Sequence, residues 1–218
     1  MKLCLSADRD TALQVVCIGA HCDDIEIGCG GSLLALAQAY PKAVFHAWVF
    51  SGEPRRAAET AHCLSSLVGT DRLRLKQMGY RDGYFPADWS AIKESLRALS
   101  ATVQADLVFT HTTGDAHQDH RTLAELTWNH FRNHLILEYE IVKYEGDLPR
   151  CNTYLPLSAD QMKAKVDALM QAFPSQAGKH WFSAANFEAI ARLRGIESHA
   201  PDGFAEAFVV RKSVLSLS

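Results

Sequence analysis

Apolar runs alternate along the chain with amphipathic stretches, and this pattern predicts an α/β fold. Unbroken apolar runs are typical of buried strands, whereas apolar residues three or four positions apart, such as Trp89, Ile92, Leu96 and Leu99, are typical of a helix. Alternating strands and helices favour a mostly parallel sheet with helices on both faces. The predicted strands span residues 13–18, 43–50, 73–75, 105–110, 135–142 and 204–210, and the predicted helices residues 32–37, 55–68, 89–103, 158–172 and 184–194, with a further helix beginning near His117.

The ends of these helices and the composition both favour one domain. Ser158 is expected to cap one helix at its N-terminus, and Gly69 and Gly195 are expected to end two others. No repeat, low-complexity tract or linker interrupts the pattern. At 218 residues and 48% hydrophobic, the chain is suited to a single domain with a substantial core.

Charge and cysteine usage limit the classes of partner. A net charge of −3 provides no basic surface of the kind that nucleic-acid binding requires, so we expect no nucleic-acid partner. No stretch reaches the roughly 20 apolar residues of a membrane span, and the first ten residues lack the pattern of a signal peptide. The six cysteines form no short-spaced pairs. We therefore expect a cytoplasmic protein without a membrane span, and the sequence leaves homo-oligomerisation open.

Two clusters of imidazole and carboxylate side chains follow predicted strands. Residues 21–24 (His-Cys-Asp-Asp) come after the strand at 13–18, and residues 117–120 (His-Gln-Asp-His) come after the strand at 105–110. Ligands of open α/β sheets bind beyond the carboxyl ends of the strands, so the two clusters can converge at one edge of the sheet. Two histidines and an aspartate meeting there would form a mixed nitrogen and oxygen metal site.

The residue types in these clusters also suit hydrolytic chemistry. A catalytic zinc ion usually takes three protein ligands and keeps one position open, and His21, Asp24 and His120 supply such a set. Asp23 could then point elsewhere and act as a general base. His117 lies three residues from His120 and could reach a substrate carbonyl oxygen or a leaving nitrogen, while Asp119 could orient one imidazole of its own cluster.

Each of these features also has an ordinary structural explanation. A single histidine at a strand end is more often a hydrogen-bonded residue than a ligand, and Asp23 could simply cap the following helix. The glycine-rich run at 28–31 could serve tight turning and close packing, and it partly mimics a phosphate-binding loop although it lacks the GxGxxG spacing. Two such clusters at two strand ends are, however, hard to explain as coincidence.

The two clusters together resemble the signatures of the PIG-L/LmbE family of zinc-dependent N-deacetylases, which are A-H-P-D-D followed by a glycine-rich turn, and H-x-D-H. Residues 20–24 with 28–31 match the first signature, and residues 117–120 match the second. The resemblance implies one PIG-L/LmbE-like deacetylase domain over residues 1–218, folded as a Rossmann-like three-layer α/β sandwich with a mostly parallel sheet. Weaker likenesses are the arginine-bearing helix at 56–59, the Ser-Gln pair at 175–176, Arg-Gly at 194–195 and Ala-Glu-Ala-Phe at 205–208.

The resemblance also implies roles for individual residues. It assigns the metal, Zn²⁺ or another divalent ion such as Fe²⁺, to His21, Asp24 and His120. It assigns the general base to Asp23, and to His117, in its protonated form, the stabilisation of the transition state and help for the leaving amine. Asp119 is the expected orienting carboxylate, and Arg56 is the candidate for substrate contact, with Arg55 as a competitor.

The implied reaction is removal of the N-acetyl group from an amino sugar or an amino-sugar conjugate such as a glycan, nucleotide sugar or glycoside. Two alternatives stay open, a related metal-dependent amidase acting on a larger amide and a non-catalytic sugar-nucleotide-binding module. Cys22 stands where the family usually has proline, and we expect its thiol to be a bystander rather than a ligand. Several aromatic residues in predicted loops could stack on a sugar ring or belong to the core, namely Tyr80, Tyr84, Phe85, Trp181 and Phe182.

Overall fold

The computed structural model describes residues 4–5 and 7–214, and in this part of the chain seven strands and six helices form one α/β unit. The strands are β1 (Gln14–Gly19), β2 (Val44–Val49), β3 (Leu73–Gln77), β4 (Leu107–His111), β5 (Leu135–Tyr139), β6 (Thr153–Leu157) and β7 (Phe204–Val209). The helices are α1 (Asp24–Ala39), α2 (Pro54–Val68), α3 (Trp89–Ser100), α4 (Gln118–His130), α5 (Ala159–Ala172) and α6 (Ala184–Ser198).

The strands form one sheet in the order β3-β2-β1-β4-β5-β7-β6. The neighbours from β3 to β5 are paired in parallel, whereas β7 is antiparallel to both β5 and β6. Among the described strands, β7 alone therefore runs in the opposite direction. The mostly parallel sheet expected from the sequence is confirmed.

Helices cover both faces of the sheet. On one face α1, α2, α5 and α6 contribute to a core that includes Ile25, Leu64 and Leu169, and on the other face α3 and α4 contribute to a second core that includes Ile92 and Leu123. Strands buried on both faces explain the continuous apolar runs in the sequence. The structure is thus the predicted three-layer sandwich.

Helix α1 begins earlier than predicted. The helix starts at Asp24 rather than at residue 32, so the glycine-rich run lies inside the helix and does not form a turn. A Cβ atom on Gly28 would overlap the ring of Tyr139, and one on Gly31 would lie 2.5 Å from Leu157 Cδ1. The glycines therefore allow α1 to lie close to the sheet, which is the close-packing explanation of this run.

Two further differences concern the C-terminal half. Strand β6 was not predicted, because its half-buried sequence contains Pro156 and lies at the edge of the sheet, where proline is tolerated. Gly195 does not end α6, which continues to Ser198; a Cβ atom at Gly195 would overlap the backbone of Gly203. Ser158 does cap α5, in a reciprocal arrangement with Gln161.

A buried ion pair ties β7 to the helical layer. Glu206 accepts hydrogen bonds from the backbone N–H groups of Gly31 (2.9 Å) and Ser32 (2.6 Å) and from Lys165 Nζ (2.6 Å), and Lys165 also donates to the carbonyl of Ile27. The Ala-Glu-Ala-Phe segment is therefore a structural connection between β7, α5 and α1.

None of the helices in the described part of the chain is long and apolar enough to cross a membrane.

Candidate active site

The two polar clusters meet where the order of the strands reverses. The chain moves from β1 to β2 on one side and later places β4 on the other side of β1, so β1 and β4 are neighbours. Residues 21–24 follow the carboxyl end of β1, and the segment 112–120 follows the carboxyl end of β4. This is the position at which open α/β sheets bind their ligands.

His21, Asp24 and His120 place three ligand atoms around one point. His21 Nδ1 lies 3.2 Å from His120 Nε2 and 3.5 Å from Asp24 Oδ2, and the last two atoms are 3.6 Å apart. Tetrahedral zinc with bonds of about 2.0–2.1 Å separates its ligand atoms by about 3.3–3.4 Å. All three residues are buried, so their donor set, spacing and surroundings fit a zinc ion.

Each of the two imidazole rings, His21 and His120, has a carboxylate at the ring nitrogen that faces away from the other ligand atoms. Asp115 Oδ2 lies 3.0 Å from His120 Nδ1, and Asp119 Oδ2 lies 3.2 Å from His21 Nε2. Asp119 thus contacts His21, not an imidazole of its own cluster as the sequence suggested. Such carboxylate–histidine pairs fix the ring and its tautomer for metal binding.

The electrostatic environment keeps the Asp24 carboxylate ionised, as metal binding requires. Although burial alone would raise it, the pKa of Asp24 is held well below its usual range by His120 and His111. For His21, burial disfavours the charged ring, but hydrogen bonds to Asp119 and Asp24 raise its pKa well above the usual value. Metal binding at His21 would therefore release a proton.

Asp23 occupies a strained and buried position beside this group. It stands at the N-cap of α1 with a φ of 105°, in the left-handed region that non-glycine residues rarely adopt, and it makes no capping hydrogen bond. Burial and the charge of Asp24 raise the pKa of Asp23 to about 7, against the opposing charge of Arg56. The backbone therefore turns Asp23 away from a capping role, and its carboxyl is poised to exchange a proton near neutral pH.

Arg56 is the arginine of α2 that reaches the site. Its Nη2 lies 3.1 Å from Asp23 Oδ2, and the same nitrogen donates to the carbonyl of Cys22. Arg55 instead points outward, where its Nε lies 3.5 Å from Glu59 Oε1. Of the two candidates, Arg56 is the one that lines the cavity beside Asp23.

His117 caps α4 with its side chain. His117 Nδ1 accepts the backbone N–H of Asp119 at 3.3 Å, so a neutral ring carries its proton on Nε2. Burial and the neighbouring His120 and His21 lower the pKa of His117. The lowered pKa favours a neutral imidazole at pH 7 with its proton on Nε2, whereas the family resemblance implied a protonated ring.

His111 was not predicted from the sequence, although it contacts two of the three candidate metal ligands, His120 and Asp24. It is fully buried, its ring stacks on that of His120 with centroids 3.9 Å apart, and its Nε2 lies 3.3 Å from Asp24 Oδ2. Two signals in the sequence could have indicated these residues. His111 is a polar residue at the end of a buried strand, and Asp115 is a carboxylate two residues before His117.

Cys22 lies outside the group of ligand atoms. Its thiol is directed toward the carbonyl oxygen of Ser51, at 3.6 Å, and toward the side chain of Gln77. Burial raises the pKa of this thiol to about 11, so it is protonated at neutral pH. These contacts agree with the expectation that Cys22 is a bystander.

A cavity of about 260 Å³ opens from these residues to solvent. Its outer wall includes Trp181, Tyr144 and Lys143, and Lys143 is paired with Asp115 at 3.1 Å and Asp147 at 2.6 Å. Of the aromatic loop residues, Phe85 and Phe182 are buried in the cores, whereas Trp181 lines the cavity. The space is large enough for a sugar ring beside the polar group.

Comparison with known proteins identifies the family to which the chain belongs. Residues 16–131 match the PIG-L family, described as GlcNAc-PI de-N-acetylase, and this segment contains both polar clusters. The chain belongs to the PIG-L family. The sequence resemblance to PIG-L is thereby confirmed. No curated protein sequence matches the chain significantly.

Solved structures share the PIG-L fold of this chain. N,N'-diacetylchitobiose deacetylase from Pyrococcus horikoshii is 19% identical, with a TM-score of 0.68, 90% of this chain and 83% of that chain being covered. The A40926 pseudoaglycone deacetylase Dbv21 is 15% identical, with a TM-score of 0.70 and coverage of 94% and 100%. GalB, the 4-carboxy-2-hydroxymuconate hydratase from Pseudomonas putida KT2440, is 14% identical, with a TM-score of 0.70 and coverage of 94% and 99%. These chains include two deacetylases and a hydratase, so the shared fold does not by itself determine the reaction.

Proposed function

We propose that this PIG-L protein is a zinc-dependent hydrolase that removes the N-acetyl group from an amino sugar or an amino-sugar conjugate. The observation that carries the proposal is the arrangement of three buried ligand atoms, 3.2–3.6 Å apart, in one cavity with Asp23 and His117. A set of three ligands with a base and a hydrogen-bond donor beside it suits amide hydrolysis better than the addition or binding reactions that the same fold could host.

His21, Asp24 and His120 would hold the ion. A bound zinc ion supplies Lewis acidity, which polarises an amide carbonyl and makes water a better nucleophile at neutral pH. Fe²⁺ is the alternative metal, since imidazole and carboxylate ligands serve both ions. Asp115 and Asp119 would keep the two imidazole rings in position.

Asp23 would act as the general base. Water adds to the acetyl carbonyl carbon while its proton passes to the Asp23 carboxylate, and the carbonyl oxygen becomes an oxyanion. With a pKa of about 7, Asp23 can accept this proton and return it to the leaving nitrogen when the C–N bond breaks. The balance is one water consumed, with acetate and a free amine released.

His117 would stabilise the charge that develops on the carbonyl oxygen. Its Nε2–H group is not used by the cap of α4 and can donate to that oxygen. As negative charge builds up, the ring becomes more basic, so His117 can also assist protonation of the amine. Arg56 would hold Asp23 in place and contact the substrate from the same wall of the cavity.

The family and the shape of the site support the proposed substrate class. The PIG-L family description names an N-acetylglucosamine conjugate, and two structural relatives are named a diacetylchitobiose deacetylase and a pseudoaglycone deacetylase. Trp181 and Tyr144 at the outer wall provide aromatic faces on which a sugar ring can stack. The six cysteines are all free thiols, which supports a cytoplasmic location for the reaction.

The direct test is release of acetate. Purified protein is stripped with a chelator, reloaded with one equivalent of zinc and incubated with N-acetylhexosamines, their glycosides and their nucleotide-linked forms. We expect acetate and an equal amount of free amine from a conjugated substrate, much less from the free monosaccharide because remote contacts contribute to transition-state binding, and none from the stripped protein.

Two other results would overturn this proposal. Release of a larger acid, without acetate, would make the protein an amidase of larger conjugates. Folded, zinc-loaded protein that binds sugar nucleotides but releases no acid from the panel would make it a binding module.

A further inference from the structure

Lys143 is a buried lysine in the loop between β5 and β6, where it lines the cavity. Its side chain is only 10% exposed, although lysine is almost never buried without a partner. The ammonium nitrogen lies 2.6 Å from each carboxylate oxygen of Asp147 and 3.1 Å from Asp115 Oδ1. Three carboxylate oxygens thus surround a group that has three N–H donors, which points to a role within the protein and not to direct contact with a substrate.

Asp115 joins Lys143 to the candidate metal ligand His120. Its Oδ1 faces Lys143 and accepts the backbone N–H of His117 at 2.8 Å, while its Oδ2 lies 3.0 Å from His120 Nδ1. The Asp115 side chain is 3% exposed, so solvent screens these contacts little. One carboxylate therefore connects the ammonium group with the ring whose Nε2 faces the other candidate ligands.

The second carboxylate, Asp147, ties the same loop to the segment before α4. Asp147 Oδ2 accepts the backbone N–H of Ala116 at 2.5 Å, next to Asp115 in the chain. Both carboxylates are buried, so without Lys143 they would lie near each other with no positive charge between them. Because removal of one partner from a buried ion pair leaves an uncompensated charge, we expect Asp115 to leave its present position when the ammonium group is lost.

We propose that Lys143 is a positioning residue that holds the metal ligand His120 through Asp115 and thereby sets the affinity of the site for zinc. The proposal rests on the proposed function, because it takes His120 as a zinc ligand. Loss of a group that orients a metal-bound imidazole typically lowers metal affinity by about 10–100-fold. Lys143 stands one contact further from the metal, so its loss should have an effect near the lower end of this range.

An ion pair that merely joins two segments is the ordinary alternative. Lys163 and Asp167 form a pair with the same i,i+4 spacing on the exposed surface of α5, where such a pair contributes little. Lys143 and Asp147 are buried, and their group includes a carboxylate that contacts a candidate metal ligand. The alternative predicts a loss of stability alone, whereas the proposal predicts a change at the metal that depends on Asp115.

The test measures zinc affinity in a double-mutant cycle. Chelator-stripped unaltered protein, Lys143→Met, Asp115→Ala and the double variant are titrated with zinc sulfate in competition with a chromogenic chelator, at a temperature at which circular dichroism shows each to be folded. Lys143→Met should bind zinc about tenfold more weakly than the unaltered protein. Adding Lys143→Met to Asp115→Ala should have no further effect, because the residue through which Lys143 acts is already absent.

A matched control and a spectroscopic measurement separate positioning from a general loss of order. Lys179 lines the same cavity, and its ammonium group lies 5.2 Å from the centroid of the Trp181 ring, so Lys179→Met removes an equal charge and leaves the Asp115 contacts in place. The visible absorption bands of Co²⁺-loaded protein report the geometry of the ligands. Lys143→Met should alter these bands, whereas Lys179→Met should keep both the bands and the zinc affinity of the unaltered protein.

Three outcomes would overturn the proposal: unchanged zinc affinity in Lys143→Met, an equal loss in Lys143→Met and Lys179→Met, or additive losses in the double variant. If Lys143→Met did not fold, Lys143→Gln would take its place in the cycle with the same expectations. Zinc binding that depends on Lys143, without acetate release from any substrate, would support the proposal and count against the proposed function. Unaltered protein that binds no zinc would overturn both.

Discussion

At the scale of single residues, the position of Arg56 beside Asp23 has a measurable consequence. The charge of Arg56 opposes the rise in the pKa of Asp23, which burial and Asp24 bring to about 7. Only the ionised carboxylate can act as a base, so activity should rise with pH through this pKa. Without Arg56 the pKa should be higher, and the rise should move to more alkaline pH.

The variant Arg56→Gln should therefore shift the acidic limb of kcat/KM upward by about one pH unit, equivalent to about 1.4 kcal/mol in the ionisation of Asp23. Arg55→Gln is the matched control, because Arg55 lies next to Arg56 on α2 but is directed toward Glu59. The measurement is the pH profile of both variants. An unchanged limb in Arg56→Gln, or an equal shift in both variants, would show that Arg56 does not set the ionisation of Asp23.

Sequence reasoning predicted the residues whose type and spacing are informative. His21, Asp24 and His120 are brought together as expected, and Asp23 and Arg56 lie beside them. Asp115 and His111 were not predicted, because their contacts with His120 arise from the three-dimensional fold and are not recorded in a local sequence pattern. Asp82 was not predicted either, since it reaches the site from a different loop, and no local pattern records that approach.

At the scale of helices and strands, the glycine-rich run of α1 tests whether close packing or helix propensity governs this helix. Gly28→Ala should lower the free energy of unfolding by about 1–3 kcal/mol, because the added methyl group overlaps the Tyr139 ring in a filled core. Alanine would otherwise stabilise a helix interior by about 1 kcal/mol relative to glycine. Urea denaturation measures the difference.

Gly30→Ala is the control in the same helix. The nearest atom to its added methyl group is Leu67 Cδ1 at 3.2 Å, at the end of a side chain that can move. This variant should be less destabilised than Gly28→Ala, or even stabilised. Equal stability of the two variants would mean that the contact with Tyr139 is not the reason for the glycine.

The elements that were misplaced share a physical cause. Helix α1 was expected at residue 32 because glycines disfavour helices, but close contact with the sheet overrides this local preference. Helix α6 passes through Gly195 for the same reason. Strand β6 lacks a clear alternation of buried and exposed residues, and only its pairing with β7 makes it a strand.

At the scale of the whole molecule, the order of the strands explains why two segments that are distant in sequence contribute to one site. β1 and β4 are adjacent although nearly a hundred residues separate their polar clusters, and the alternation of strands and helices predicted only that both clusters lie at the same edge. The antiparallel β7 could not be predicted from its apolar run, because direction is set by the connections and not by composition.

In the proposed mechanism Asp24 holds a metal ion while its neighbour Asp23 acts as the base, and a paired measurement on the two carboxylates separates these roles. Zinc content and acetate release are measured side by side for the unaltered protein, Asp23→Asn and Asp24→Asn. We expect Asp24→Asn to lose the tightly bound zinc, whereas Asp23→Asn should retain it and lose about a hundredfold or more in turnover, the usual scale for loss of a general base. Equal loss of zinc in both variants, or full turnover by Asp23→Asn, would contradict it.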